Sequence, residues 1–129
     1  MSDDRKKILI VEDEIIVAME IELALQSKGY WVVGKAPTSE KAVELAQKFL
    51  PDVVLMDVNI KGSKDGIGTS KEILKFHNPS IIFLSAYTDS ETINKMKVIQ
   101  PHYFLPKPYS QNDLAKIIST AISESRASN

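Results

Sequence analysis

Five short apolar runs alternate with helix-patterned stretches along the chain, and no other feature restricts its fold as much. Ile8, Leu9, Ile10 and Val11 are continuously apolar, as a strand covered on both faces requires. A helix is expected from about Glu14 to Lys28, ended by Gly29 at the usual C-terminal position. Tyr30, Trp31, Val32 and Val33 read as a second strand. Thr38 or Ser39 can cap a helix that reaches Phe49 and Leu50, where Pro51 prevents continuation. Val53, Val54, Leu55 and Met56 form a third strand ending at Asp57. Gly62, Gly66 and Gly68 mark a loop before a helix ending near Phe76, with Asn78 and Pro79 as the break. Ile81, Ile82, Phe83 and Leu84 run into Ser85 as a fourth strand, and a shorter helix spans roughly Ser90 to Val98, before Pro101. Tyr103, Phe104 and Leu105 make the fifth strand, closed by Pro106, Lys107 and Pro108. Ser110 with Asp113 has the pattern of a capping box for a last helix, in which Leu114, Ile117, Ile118, Ala121 and Ile122 keep helical spacing.

Strand–helix alternation of this kind predicts an α/β fold, a doubly wound five-stranded parallel sheet flanked by five helices. Residues 1–6 are expected to be a polar lead, 7–123 the domain and 124–129 a polar tail. The full 129 residues suit one domain, which would bury roughly two-thirds of its unfolded surface. A net charge of −1 with scattered basic residues carries no nucleic-acid footprint. Without cysteine there are no disulfides, thiolate metal sites or thiol catalysis. No apolar run approaches the length of a membrane span and none resembles a secretory signal, so a soluble cytoplasmic domain is expected. Nucleotide binding is disfavoured, since neither a Walker-type phosphate loop nor a dinucleotide glycine fingerprint is present.

In open sheets of this type the chemistry lies outside the carboxyl ends of the strands. Those ends carry Glu12, Asp13 and Glu14 after the first strand, Asp57 after the third, Ser85 after the fourth and Lys107 after the fifth. Acids brought together repel unless a cation sits among them. Oxygen ligands without His or Cys select a hard ion, and an incomplete cage that keeps waters suits Mg²⁺. A lysine and a hydroxyl at the same rim would receive an anionic group. Together these residues read as a phosphoryl-handling site with an aspartate as nucleophile.

In this set of residues the chain resembles the receiver domain of two-component response regulators, from about Lys7 to Ser123. The resemblance implies the flavodoxin-like receiver fold, with Asp57 as phosphoacceptor and Glu12, Asp13, Asp57 and the backbone carbonyl of Asn59 as ligands of Mg²⁺, for which Mn²⁺ can substitute. It implies that Ser85 is the hydroxyl switch residue, Lys107 the partner of the phosphoryl group in a cis bond to Pro108, and Phe104 the aromatic switch residue. It implies a histidine kinase or histidine phosphotransfer protein as donor, and side chains of Asn59 and Tyr87 that flank the phosphoryl group and tune hydrolysis. The common Met-Pro pair after the phosphoacceptor is absent, the loop to Gly66 is longer than the commonest form, and Phe104 lacks the hydroxyl of the more familiar Tyr.

Other readings of the same residues stand beside this one. Asp57 alone could be a strand-terminal residue bonded to a loop amide, Ser85 a turn cap, and Glu12 to Glu14 an acidic cluster at a helix start, which is the only role expected of Glu14. An aspartyl-phosphate hydrolase would need a second acid two residues after the nucleophile, where this chain has Asn59. An interaction module that has lost phosphate acceptance would not keep the complete set. His77 and His102 read as packing residues and Trp31 as a half-buried strand residue. In the first helix Val17, Ile21, Ala24 and Leu25 suffice to dock on the sheet. Ile15, Ile16, Met19 and Leu23 form a second stripe, which a partner protein or a second copy could cover, unless it packs on the last helix or is simply exposed. No DNA-binding segment follows the last helix, so either a stand-alone receiver or a part of a longer regulator is expected, with an output partner that the residues do not name.

Overall fold

The computed structural model describes residues 4–86, 89–99 and 102–127. The elements run β1 Lys7–Val11, α1 Ile15–Ser27, β2 Trp31–Ala36, α2 Ser39–Phe49, β3 Val53–Asp57, α3 Gly66–Ile73, β4 Ser80–Ser85, α4 Ser90–Met96, β5 His102–Pro106 and α5 Gln111–Ala127. The strands form one sheet in the order β2-β1-β3-β4-β5, and every neighbouring pair is parallel. The α/β class and the doubly wound five-stranded sheet expected from the alternation are therefore what the chain adopts.

The period-2 alternation of strands divides the core into two layers. Leu9, Val11, Val54, Met56, Ile81 and Phe83 meet Ala42 and Ala46 of α2, Ile67 and Ile73 of α3 and Met96 of α4. Ile8, Ile10, Val53, Leu55, Ile82 and Leu84 meet Ala18, Ile21 and Leu25 of α1 and Leu114, Ile118 and Ala121 of α5. Continuous apolar character in the strands is thus explained by helices on both faces. The chain leaves β1 to one side for β2 and returns to the other side for β3, so the sheet's switch point lies between β1 and β3.

Local chemistry sets the helix ends. Thr38 caps α2 by accepting from Lys41 N–H at 3.2 Å, and Leu50 closes that helix at a φ of 47°. Gly29 takes φ 87° after α1, where glycine is free of the Cβ penalty. Ser110 and Asp113 exchange reciprocal bonds of 3.0 and 3.2 Å before α5.

Several boundaries differ from expectation, among them the ends of α3 at Ile73 and of α4 at Met96. Gly66 and Gly68 lie inside the first turn of α3, because the Asp65 side chain accepts from Gly68 N–H at 2.8 Å and starts the helix there. Strand β2 continues to Ala36, as Glu12 N–H donates to the Ala36 carbonyl at 3.0 Å and keeps β1 and β2 in step. The residues after Ser123 are helical to Ala127, and the Tyr103 hydroxyl donates to Glu124 there. Among the described residues no helix is long and apolar enough to cross a membrane.

Candidate functional site

The carboxyl ends of β1, β3, β4 and β5 bring together the polar residues that the sequence singles out. Asp57 is the last residue of β3 and is buried, and Glu12, directly after β1, is buried beside it. Asp13 is half-buried. One oxygen each from Glu12, Asp13 and Asp57 lies within 4.8 Å of the others, a set that could hold a metal ion.

Both Asp57 oxygens are engaged. Asn59 N–H donates to Oδ1 at 3.0 Å, and Lys107 Nζ donates to Oδ2 at 3.1 Å. Lys107 Nζ also lies 3.6 Å from Glu12 Oε1. Backbone pairing sets that reach: Lys107 N–H donates to the Ser85 carbonyl at 2.9 Å, and the Lys107–Pro108 peptide is cis. Burial works to lower the Lys107 pKa, but the charges of Asp57 and Glu12 outweigh it and hold the ammonium above the usual lysine value.

One lysine does not satisfy three acids. Glu12 Oε2 accepts from Glu14 N–H at 3.3 Å, while Oε1 is buried and has no hydrogen-bond partner among the described residues. Burial first, then the hydrogen bond and charge of Asp57, push the Glu12 carboxyl up to about 7. An orphaned carboxylate oxygen amid an oxygen-only donor set is what a hard divalent cation would satisfy. The residues present therefore fit Mg²⁺.

The remaining residues fall around this centre. Ser85 ends β4 and is buried. Phe104 is half-buried on β5, opposite Phe83, and packs against the layer that contains Met96 and Ile99 of the α4 region. Asn59 is exposed directly after Asp57. Glu14 is the N-cap residue of α1 but its side chain makes no capping bond. Tyr87 lies outside the described residues. His77 Nε2 contacts the Pro51 carbonyl at 2.6 Å and His102 Nδ1 the Ile99 carbonyl at 2.7 Å, so both histidines are packing residues.

On α1, Ile21 and Leu25 of the expected inward stripe are buried, Val17 and Ala24 are half-buried, and Ala18, which the stripe did not include, is buried with them. Ile15, Ile16, Met19 and Leu23 stay open, Ile15 by 73% and Ile16 by 70%, so α5 does not cover them.

Gly66 was legible only as loop punctuation, yet it belongs to the site's frame. Its N–H donates to the Val58 carbonyl at 2.8 Å, and a Cβ there would collide with the Asp57 carbonyl oxygen. A glycine nine residues after a strand-end aspartate carries that signal only once the helix start at Asp65 is known.

The family model of the response regulator receiver domain matches residues 8–119. The transcriptional regulatory protein PdtaR of Mycobacterium tuberculosis is 34% identical over 121 residues, covering 94% of this chain and 58% of PdtaR. The chemotaxis protein CheY of Thermotoga maritima is 29% identical over 115 residues, 88% of this chain and 95% of CheY. The signal receiver domain of a modulated diguanylate cyclase from Desulfovibrio desulfuricans G20 matches with a TM-score of 0.89 at 32% identity, over 98% of this chain and 100% of that one. Against PdtaR and the phyllosphere-induced regulator PhyR of Methylorubrum extorquens, the chain spans 58% and 45% of the relative's length, about half. The chain belongs to the receiver domains of two-component response regulators.

Proposed function

We propose that Asp57 accepts a phosphoryl group from the phosphohistidine of a histidine kinase or histidine phosphotransfer protein, in a Mg²⁺-dependent reaction that switches a partner-binding surface. One observation carries this reading: a buried aspartate with Lys107 Nζ 3.1 Å from Oδ2, beside two further acids whose oxygens lie within 4.8 Å. An Asp57 carboxylate oxygen attacks phosphorus, the P–N bond to the donor imidazole breaks, and its electron pair returns to the ring nitrogen. Lys107 keeps its proton throughout, because its pKa is raised, and donates to an oxygen of the group in flight. Glu12, Asp13, Asp57 and the Asn59 carbonyl would hold Mg²⁺, or Mn²⁺ in its place. When bound, the ion offsets charge on the transferred oxygens.

The acyl phosphate then gives the Ser85 hydroxyl an anionic oxygen to bond. Phe104 sits on the neighbouring strand and packs against the core layer that also holds Met96 and Ile99, so movement at Ser85 is relayed by packing to the α4 region and β5. Asn59 offers no titratable proton at the position where a hydrolase would carry its general acid. Loss of the phosphoryl group is therefore slow, tuned by Asn59 and Tyr87, and the domain acts as a signalling acceptor rather than a turnover enzyme.

The donor docks over α1. A groove of about 440 Å³ between α1 and α5, lined by Val17, Ile21, Tyr109 and Leu114, opens beside Lys107, and the exposed stripe lies on the same helix. Glu14 and Glu20 edge this groove, so a second copy docked through the same face would oppose acid with acid, and a basic donor surface fits better. Incubation with acetyl phosphate or phosphoramidate and Mg²⁺, read by intact mass, tests the central claim. A single adduct is expected; no adduct, or one that persists in Asp57→Asn, overturns it.

A further inference from the structure

The loop of residues 58–65 carries Asn59, and its stretch from Lys61 to Asp65 is exposed. Its ends are fixed in the fold, Val58 N–H donating to the Leu84 carbonyl at 3.1 Å and Gly66 N–H to the Val58 carbonyl at 2.8 Å. Its middle is tied to the start of α2. Lys61 pairs with Thr38 in an isolated parallel bridge, and Ser39 N–H donates to the Lys61 carbonyl at 2.9 Å. Ser63 N–H donates to Glu40 Oε2 at 2.9 Å. Between these ties Gly62 adopts φ 116°, and a Cβ there would overlap Glu40 Oε1 and sit 2.9 Å from Ser39 N. Beneath the loop, the buried hydroxyls of Ser39 and Thr69 share a hydrogen bond of 2.7 Å that joins α2 to α3.

An exposed loop of this length would sample many conformations if only its ends were held. The Glu40–Ser63 bond closes the segment from outside, and Ser63 donors hold the Glu40 carboxyl below its ordinary value, so it is charged when the bond is made. Short of that clasp, Asn59 must present its N–H to Asp57 and its carbonyl to the acidic centre from the same backbone.

We propose that Glu40, an exposed residue on α2, is a positioning residue for the metal and phosphoryl centre. By clasping Ser63 it holds the loop so that Asn59 N–H stays on Asp57 Oδ1 and the Asn59 carbonyl stays available to a cation. The inference rests on the functional reading above, in which that carbonyl is a metal ligand.

The test compares wild type, Glu40→Ala, Glu40→Gln and Glu44→Ala in the full chain. Glu44→Ala removes the same charge from the same helix, where, among the described residues, Glu44 pairs with Lys41. Amide exchange of Asn59 and Ser63 is read in metal-free protein, and Mg²⁺ affinity by calorimetry. Glu40→Ala should speed both amides and weaken Mg²⁺ binding by roughly three- to ten-fold, the scale of one net intramolecular hydrogen bond. Uptake from acetyl phosphate at limiting Mg²⁺ should fall in step with that affinity. Glu40→Gln, whose amide oxygen can still accept from Ser63, should recover most of the affinity, and Glu44→Ala should lose none. Unchanged exchange and affinity in Glu40→Ala would overturn the inference, as would equal losses in the Ala and Gln variants, which would mark a plain charge effect. If wild type itself binds no Mg²⁺, the functional reading fails, while the exchange comparison still decides whether Glu40 orders the loop.

Discussion

Gly66 rests against Asp57 so closely that a Cβ at position 66 would overlap the Asp57 carbonyl oxygen and lie 2.8 Å from Val58 Cα. The first turn of α3 is therefore seated directly on the backbone that presents the Asp57 carboxylate. Gly66→Ala is expected to force that backbone aside, costing about 1–3 kcal/mol as overpacking does. Gly29→Ala is the matched control: φ is 87° there, but among the described residues an added Cβ would meet nothing within 4 Å. It should cost about 1–2 kcal/mol from the left-handed conformation alone. Urea unfolding should show both losses, but only Gly66→Ala should slow phosphoryl uptake. Equal uptake in the two variants would refute the coupling of α3 to Asp57.

The buried carboxyl of Glu12 predicts a pH dependence with a definite sign. Its pKa is raised to about 7, so the folded chain holds this proton more tightly than the unfolded chain does. The associated stability is fully present below the unfolded value of 4.5 and is lost as pH rises through about 7. Metal-free protein should accordingly lose thermal stability from this group across that window. A divalent cation competes with the same proton, so Mg²⁺ affinity should climb with pH and level off above about 7, with proton release near pH 6. Calorimetry in two buffers of different ionisation enthalpy measures the release. Glu12→Gln should abolish both effects, and an affinity that is flat through the window would contradict the assignment.

Lys107 makes opposite predictions for metal and for phosphoryl transfer. Its ammonium serves Asp57 at 3.1 Å and Glu12 at 3.6 Å. Lys107→Ala leaves two buried carboxylates without their cation, and metal-free protein should lose about 1–3 kcal/mol as buried groups lose a partner. Added Mg²⁺ should bind a few-fold more tightly, since a competing positive charge has gone. Uptake from acetyl phosphate should nevertheless fall, because the donor to the transferred oxygens is missing. A variant with weaker Mg²⁺ binding would show that Lys107 supports the metal rather than competing with it.

Much of this was legible in the residues because each strand end announces itself. The apolar runs of β1, β3 and β4 are buried from end to end, so the polar residue that ends each run marks a boundary of the fold. Asp57, Ser85 and Glu12 are thus placed at one rim by the sequence, and Lys107, directly after β5, joins them from the strand order. The sequence does not place the ties of the 58–65 loop. They depend on backbone groups of Lys61 and Ser63 meeting α2 across 23 residues of chain, and a hydrogen bond from a backbone N–H leaves no mark on residue identity. The extent of α3 was misread for a related reason: glycine at a helix start is chosen by close packing on Asp57, whereas local propensity alone reads it as a break.

The open face of α1 separates recognition from chemistry. Ile16 and Met19 are 70% and 48% exposed, so charging them should leave the core intact and change stability by less than about 0.5 kcal/mol. Neither side chain belongs to the acidic centre, and uptake from acetyl phosphate should be that of wild type. In the proposed docking, a phosphorylated histidine kinase lies over the rim where α1 begins. Ile16→Glu combined with Met19→Glu should therefore slow kinase transfer by at least ten-fold, consistent with loss of an apolar contact worth about 1.4 kcal/mol or more. Sedimentation of the same variant reads out a second copy as the occupant: a fall in mass relative to wild type would assign the stripe to self-association. Unchanged transfer together with unchanged mass would leave the stripe as ordinary exposed apolar surface and remove α1 from the docking face.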